Sequence, residues 1–343
     1  MTAAGTQRKL DITRSSKLYS QLAEGFAKRV VGQREATQAL LDIVESHQAG
    51  YSDSSRPAGV VLFLGPTGTG KTLVAETLAA TMLGSKRACL RIDCSEFAHS
   101  HEIAKLIGSP PGYLGHRETS PLLTQEALDK YHSPDMKLSI VLFDEIEKAS
   151  DTLWALLLGI LDNATLTLGD NRKVDFSKVI IVMTSNLGAR EMANRGIGFV
   201  EPTGENDEDR LEKIAISAAK SKFSPEFMNR LQSIVVFKSL TEENIARILE
   251  IELLELGMRL YMANLASSVF FSIAMSPKAK RTLLDEGYSK AYGARYLKRV
   301  IEKRVQQPLA RLFSSGQITE GDTIIIDDAG EKDFTFYAQG RLL

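Results

Sequence analysis

Among the uninterrupted apolar stretches of the chain are Val60-Val61-Leu62-Phe63-Leu64, Ile140-Val141-Leu142-Phe143 and Val179-Ile180-Ile181-Val182-Met183. Strands buried on both faces read this way, whereas strands with one wet face alternate, so these runs predict a parallel sheet covered by helices. From Leu22 to about Phe237 such runs alternate with helical patterns, among them the amphipathic stretch Leu73–Leu83, as expected of successive βαβ units. The texture changes after Ser239-Leu240. Thr241-Glu242-Glu243 places acids in a first helical turn, and apolar positions continue at helical spacing to about Met262. Ser276-Pro277 is a cap followed by proline at the first helical position. A further helix is expected from about Ala294 to Phe313, and short strands at Thr323–Ile326 and Phe334–Tyr337. The expected fold is α/β: a polar tail over residues 1–21, a large domain over 22–238, and a smaller, mainly helical domain with short C-terminal strands over 239–343. Within the large domain, Glu201–Asp209 is acidic and turn-rich and reads as a loop.

Composition narrows the function classes. The chain has 343 residues, is 43% hydrophobic and 25% charged, and carries a net charge of −1 at pH 7. No basic excess is present to hold a polyanion, which argues against nucleic acid as a partner. Cys89 and Cys94 are too few for a disulfide framework. The N-terminus lacks an apolar signal core and no run reaches the length of a membrane span, so the expectation is a soluble cytoplasmic protein without a membrane partner.

The candidate chemistry sits where the apolar runs stop. Gly65-Pro66-Thr67-Gly68-Thr69-Gly70-Lys71-Thr72 follows the first run and opens a helix. This is a P-loop in the strand–turn–helix setting it requires. Its backbone N–H groups and the helix N-terminus would wrap nucleotide phosphates, Lys71 would reach the β- and γ-phosphates, and the Thr72 hydroxyl would ligate Mg²⁺. The bound nucleotide is ATP or GTP. The second run ends in Asp144-Glu145, which suits a carboxylate holding Mg²⁺ through water and a general base for the attacking water. The third leads into Thr184-Ser185-Asn186, whose amide could orient that water. Three strand ends converging on one phosphate is the switch-point arrangement of open α/β sheets.

Several further motifs occur in a fixed order: Val30-Val31-Gly32-Gln33, Arg91-Ile92-Asp93-Cys94-Ser95-Glu96-Phe97, GSPPGYLG at Gly108–Gly115, LFDEIEKA at Leu142–Ala149, MTSNLG at Met183–Gly188, SPEFMNR at Ser224–Arg230 and YGARYLKR at Tyr292–Arg299. On these, residues 22–327 resemble the second ATPase module of the Clp family of AAA+ proteins, the ClpA, ClpB and ClpC unfoldases. The resemblance implies a P-loop AAA+ large domain with a helical lid, with ATP and Mg²⁺ as cofactors. It implies that Val31 and Gly32 pack on adenine, that Arg230 is an arginine finger reaching the γ-phosphate of a neighbouring subunit, and that Arg295 is a second sensor contacting the γ-phosphate from the lid. A finger that completes a neighbour's site needs a closed ring, a homo-hexamer in the family. The resemblance also implies that Gly112-Tyr113-Leu114-Gly115 lines the ring's pore, with Tyr113 gripping unfolded polypeptide. Ile197-Gly198-Phe199 is similar to the tripeptide that ClpA- and ClpC-like unfoldases dock into a ClpP peptidase, although so short a motif also suits simple packing.

The expected function is therefore that of a ring-forming ATPase that unfolds or remodels proteins by threading them, with no peptidase activity of its own. Two alternatives stand beside it: a nucleic-acid remodelling AAA+ motor, and a nucleotide-switched assembly scaffold that threads nothing. The chain reads as a single module, without the recruiting domain and first ATPase module of the family. Residues 116–120 and 162–170 depart from the family pattern near the pore loops, and 131–137 is longer than usual before the Asp144 strand; these changes leave the hydrolytic residues intact. His99, His101 and Glu102 lack the further ligands of a metal site, and Cys94 reads as a small buried apolar group.

Overall fold

The computed structural model describes residues 11, 14–110, 120–189, 207–267, 269–288, 293–330 and 333–340. Helix α1, Lys17–Arg29, begins where the Ser16 hydroxyl accepts the Tyr19 N–H at 3.1 Å. The tail expected through residue 21 thus gives way earlier, because Leu22 and Phe26, four apart, bury one face of a capped helix. Helix α2, Arg34–Gln48, precedes strand β1, Gly59–Leu64, and helix α3, Lys71–Leu83. Strand β2, Cys89–Asp93, is followed by the short helices α4, Ala104–Ile107, and α5, Gln125–Asp129. Then come β3, Ser139–Asp144, helix α6, Asp151–Asn163, the antiparallel hairpin β4, Thr165–Thr167, with β5, Lys173–Asp175, and strand β6, Val179–Ser185. Helices α7, Asp207–Lys222, and α8, Pro225–Met228, lead to β7, Ser233–Val236.

Strands β2, β3, β6, β1 and β7 form, in that order, one parallel sheet. Its two faces feed two separate cores, and the period of two is visible in each central strand. Val60, Leu62 and Leu64, with Val141, Phe143, Val179, Ile181 and Met183, pack beneath α6 and α7. Val61 and Phe63, with Ile140, Leu142, Ile180 and Val182, pack beneath α1, α2 and α3. Burial on both faces is why no polar residue interrupts these runs. All three central strands therefore deliver their carboxyl ends side by side, at Gly65, Asp144 and Asn186.

The second unit begins with helix α9, Glu242–Ser267. Strand β8, Ser272–Met275, and helix α10, Pro277–Gly287, follow, the latter capped by Ser276 as the sequence predicts. Helix α11, Ala294–Ile301, passes through a π turn at Glu302–Gln306 into α12, Gln307–Ser314. Pro308 lies just past the wide turn; it has no N–H for the regular ladder, and the wide turn keeps the helix running. Strands β9, Thr323–Asp327, and β10, Thr335–Gln339, complete a three-stranded sheet in the order β10-β9-β8. A third core joins Leu249, Leu283, Leu297, Ile301, Val305 and Ile326.

Candidate functional site

Gly65 takes φ +134°, and a Cβ there would stand 2.6 Å from the Phe237 carbonyl oxygen. Gly70, at φ +103°, turns the chain into α3. Both positions demand a residue without a side chain. Lys71 then begins the helix with its side chain folded under the loop, only 8% exposed. Its Nζ donates to Gly65 O at 2.7 Å, Pro66 O at 2.8 Å and Asn186 Oδ1 at 2.9 Å. Burial pushes the Lys71 pKa down to about 8, against the opposing pull of Glu147, Asp144 and Glu145. A buried ammonium whose direct partners are neutral oxygens is short of negative charge. Beside the N-terminus of α3, it makes an anion site that fits a nucleotide's phosphates.

The carboxylates stand opposite. Asp144 pairs with Arg91 of β2 at 2.6 Å and accepts the Thr184 hydroxyl. The Thr72 hydroxyl faces both Asp144 oxygens at 3.4 Å. A hydroxyl and a carboxylate are the hard oxygen donors that suit Mg²⁺. Glu145 lies in the left-handed region at φ 57° and ψ 49°, a conformation uncommon for a side chain of its kind. There its N–H reaches Thr184 Oγ1 at 3.1 Å. Its carboxylate accepts the Asn186 amide Nδ2 at 3.2 Å and pairs with Lys148 through the other oxygen. Asn186 thus receives Lys71 on one side and donates to Glu145 on the other. Glu147 accepts the Asn186 backbone N–H at 3.1 Å, and its second oxygen is buried with no hydrogen-bond partner among the described residues.

On the far side of the loop, Val31 is buried and Gly32 takes φ +75°, where a Cβ would stand 2.6 Å from Asn244 Oδ1. An apolar cleft lined by Val30, Val31, Leu73, Leu240 and Ile248 opens beside Gly68 and Thr69. Gln33, buried and polar, ties the loop to the segment before α9: its Nε2 donates to Lys238 O at 3.0 Å and Thr69 O at 3.3 Å. The lid touches the loop directly, with the Ala294 N–H on Gly68 O at 3.1 Å. Arg295 is exposed, and its charge depresses the Lys71 pKa further.

The geometry unites Lys71, Thr72, Asp144, Glu145 and Asn186. It places Arg230 elsewhere: the guanidinium grips both carboxylate oxygens of Asp162 at the end of α6, with Nη2 at 2.9 Å, and Nη1 donates to Glu226 O at 2.7 Å. The pore residues Gly112, Tyr113, Leu114 and Gly115 and the tripeptide Ile197, Gly198 and Phe199 lie outside the described residues. Arg91, Thr184, Glu147 and Gln33 are site members that the sequence reading did not single out. Among the described residues no group of three or more His, Cys, Asp or Glu could hold a metal ion, and no helix is long and apolar enough to cross a membrane. Glu102 instead accepts the His99 N–H at 3.0 Å as a helix cap. Cys89 and Cys94 are buried, and desolvation pushes the Cys89 thiol up to about 12.

A P-loop, an Asp-Glu strand end and a polar sensor on the next strand, roofed by a helical lid, define a class of nucleotide-binding domain. Residues 56–234 match the family described as AAA domain (Cdc48 subfamily), and residues 240–326 match the C-terminal, D2-small domain of ClpB protein. The chain belongs to this AAA family, in its Clp branch. It is 38% identical to the ATP-dependent Clp protease ATP-binding subunit ClpC of Staphylococcus aureus (strain USA300), over 96% of this chain and 38% of that protein. The ClpC of Staphylococcus epidermidis (strain ATCC 12228 / FDA PCI 1200) matches with the same identity and coverage. The closed-state electron cryomicroscopy structure of Hsp104 with ATPγS and FITC-casein superposes with a TM-score of 0.77 at 29% identity, covering 96% of this chain and 53% of that one. The chain therefore spans well under half the length of these ClpC relatives.

Proposed function

We propose that this chain is an ATPase that remodels protein substrates as one subunit of a ring. The observation that carries the proposal is the continuous hydrogen-bonded path Lys71–Asn186–Glu145 beside the Thr72–Asp144 pair. Lys71 and the α3 amides would hold the phosphates of ATP, and Thr72 and Asp144 would hold Mg²⁺. The bound nucleotide supplies the phosphoanhydride whose cleavage releases free energy. Glu145 takes the proton of a water molecule, and Asn186 fixes the carboxylate that does so. Arg230, in the turn after α8, would complete the site of an adjoining subunit. Arg295 would bring the lid to bear on the subunit's own site.

Two relatives support a protein substrate: one is the ATP-binding subunit of a protease, and the other was imaged with casein. Tyr113, between glycines, would grip the threaded chain, and Ile197-Gly198-Phe199 would dock a ClpP-like peptidase. The test uses two variants. Glu145→Gln binds ATP with near wild-type affinity while phosphate release falls about 10²–10⁴-fold, the range of general-base catalysis. Tyr113→Ala keeps basal hydrolysis and loses unfolding of a tagged fluorescent reporter. Unchanged turnover in the first, or undiminished unfolding in the second, removes the corresponding assignment. Added peptidase should degrade the reporter with the wild type but not with Ile197→Ser/Phe199→Ser.

A further inference from the structure

The lid meets the phosphate loop through backbone. Gly293, at φ 52° and ψ −145°, sits in a region open essentially to glycine alone. A Cβ there would lie 2.7 Å from Gly68 O and 2.9 Å from Gly68 C, both rigid backbone atoms. That close approach lets the next amide, Ala294 N–H, donate to the same carbonyl at 3.1 Å. The carbonyl one residue along, Thr69 O, is held by Gln33, which also binds Lys238 O just before the lid begins. Two consecutive loop carbonyls are thus gripped by separate parts of the molecule. Ala294 is also the first residue of α11, whose Leu297, Val300 and Ile301 enter the lid core.

We infer that Gly293 and the Ala294 amide form a backbone joint that positions the lid on the phosphate loop. The Gly68 carbonyl of the loop faces the lid. A shift of the loop on nucleotide binding therefore moves α11 directly, independently of the Arg295 side chain. This coupling rests on the nucleotide site proposed above; the joint itself rests on the two contacts at Gly68.

Ala294→Pro isolates the joint. Proline is tolerated at the first helical position; here it removes the N–H and sets its ring carbon against the Gly68 carbonyl, so it opens this contact and leaves every other side chain in place. It disfavours a helical residue before it, a conformation Gly293 does not occupy. Probes on exposed Ser55→Cys and Ser315→Cys report the distance between the two domains. Without nucleotide, the wild-type background is expected to show one narrow distance distribution and Ala294→Pro a broad one, with an unchanged melting temperature of the lid. ATP affinity is expected to fall about two- to tenfold, the worth of one hydrogen bond. Gly293→Ala, which adds strain and a clash, should exceed both effects. A distance distribution in Ala294→Pro as narrow as the wild type overturns the inference. If the wild-type background binds no ATP at all, the proposed function fails instead, and the nucleotide-free distances still decide the joint.

Discussion

The two halves of the proposed catalytic apparatus are built on opposite principles. Asp144 ends β3, Asn186 follows β6 and Lys71 opens the helix after β1; all three are buried or half-buried, and each is bonded to at least one other strand or loop. Arg230 lies in the turn after α8, held by one carboxylate of α6 and by Glu226, with its partners partly exposed. Buried hydrogen bonds to the loop, to β6 and to one another fix the first group. An ion pair that water can reach fixes the second, and such pairs contribute little on their own. Binding is thus placed where the fold enforces it. On the proposed function, control of turnover would fall where a neighbour could take hold.

Substitutions can break this contrast. The largest effect is expected of Arg230→Ala: phosphate release by the assembled protein should fall about 10³–10⁵-fold, as when fingers are lost elsewhere, with nucleotide affinity kept. A concentration series checks it, and a matching loss of nucleotide binding would place Arg230 in the inner half. Lys71→Ala should do the reverse, weakening ATP binding about ten- to hundredfold by removing charge-assisted hydrogen bonds, as read by titration calorimetry. The smallest effect concerns stability. Lys71 has a folded pKa of about 8 against an ordinary value of 10.5. Between those values the unfolded chain holds more protons, so the nucleotide-free fold should gain stability as the pH rises through 8. Below pH 8 the burial penalty is felt in full. Relative to Lys71→Met, the wild type should gain about 2 kcal/mol between pH 7 and 9.5 in denaturant midpoints. A difference that does not change with pH would mean that the ammonium is less enclosed than its contacts indicate.

The central strands were legible because burial on both faces leaves an apolar signature, and the chemistry was legible because it stands where each run ends. Strand β8, Ser-Ile-Ala-Met, left no such mark: four residues with half their positions exposed resemble any loop. Helix α1 escaped notice among polar neighbours, although Leu22 and Phe26 carried its spacing. Arg91 and Thr184 could not be assigned from the linear order. Their tie to Asp144 depends on strand neighbours set by register, Asp93 beside Asp144 and Phe143 beside Met183. Asp162 and Arg230 meet across 68 residues, with no local pattern to announce it.

Glu145 deserves a last consequence. Its left-handed backbone sacrifices roughly 1–2 kcal/mol that glycine would not forfeit, yet only there do its amide and carboxylate both find partners on β6 and the turn after it. Any search for a sturdier chain that ignored activity would therefore discard this glutamate early. The hardiest descendant of the protein would be one that grips its fuel and never burns it.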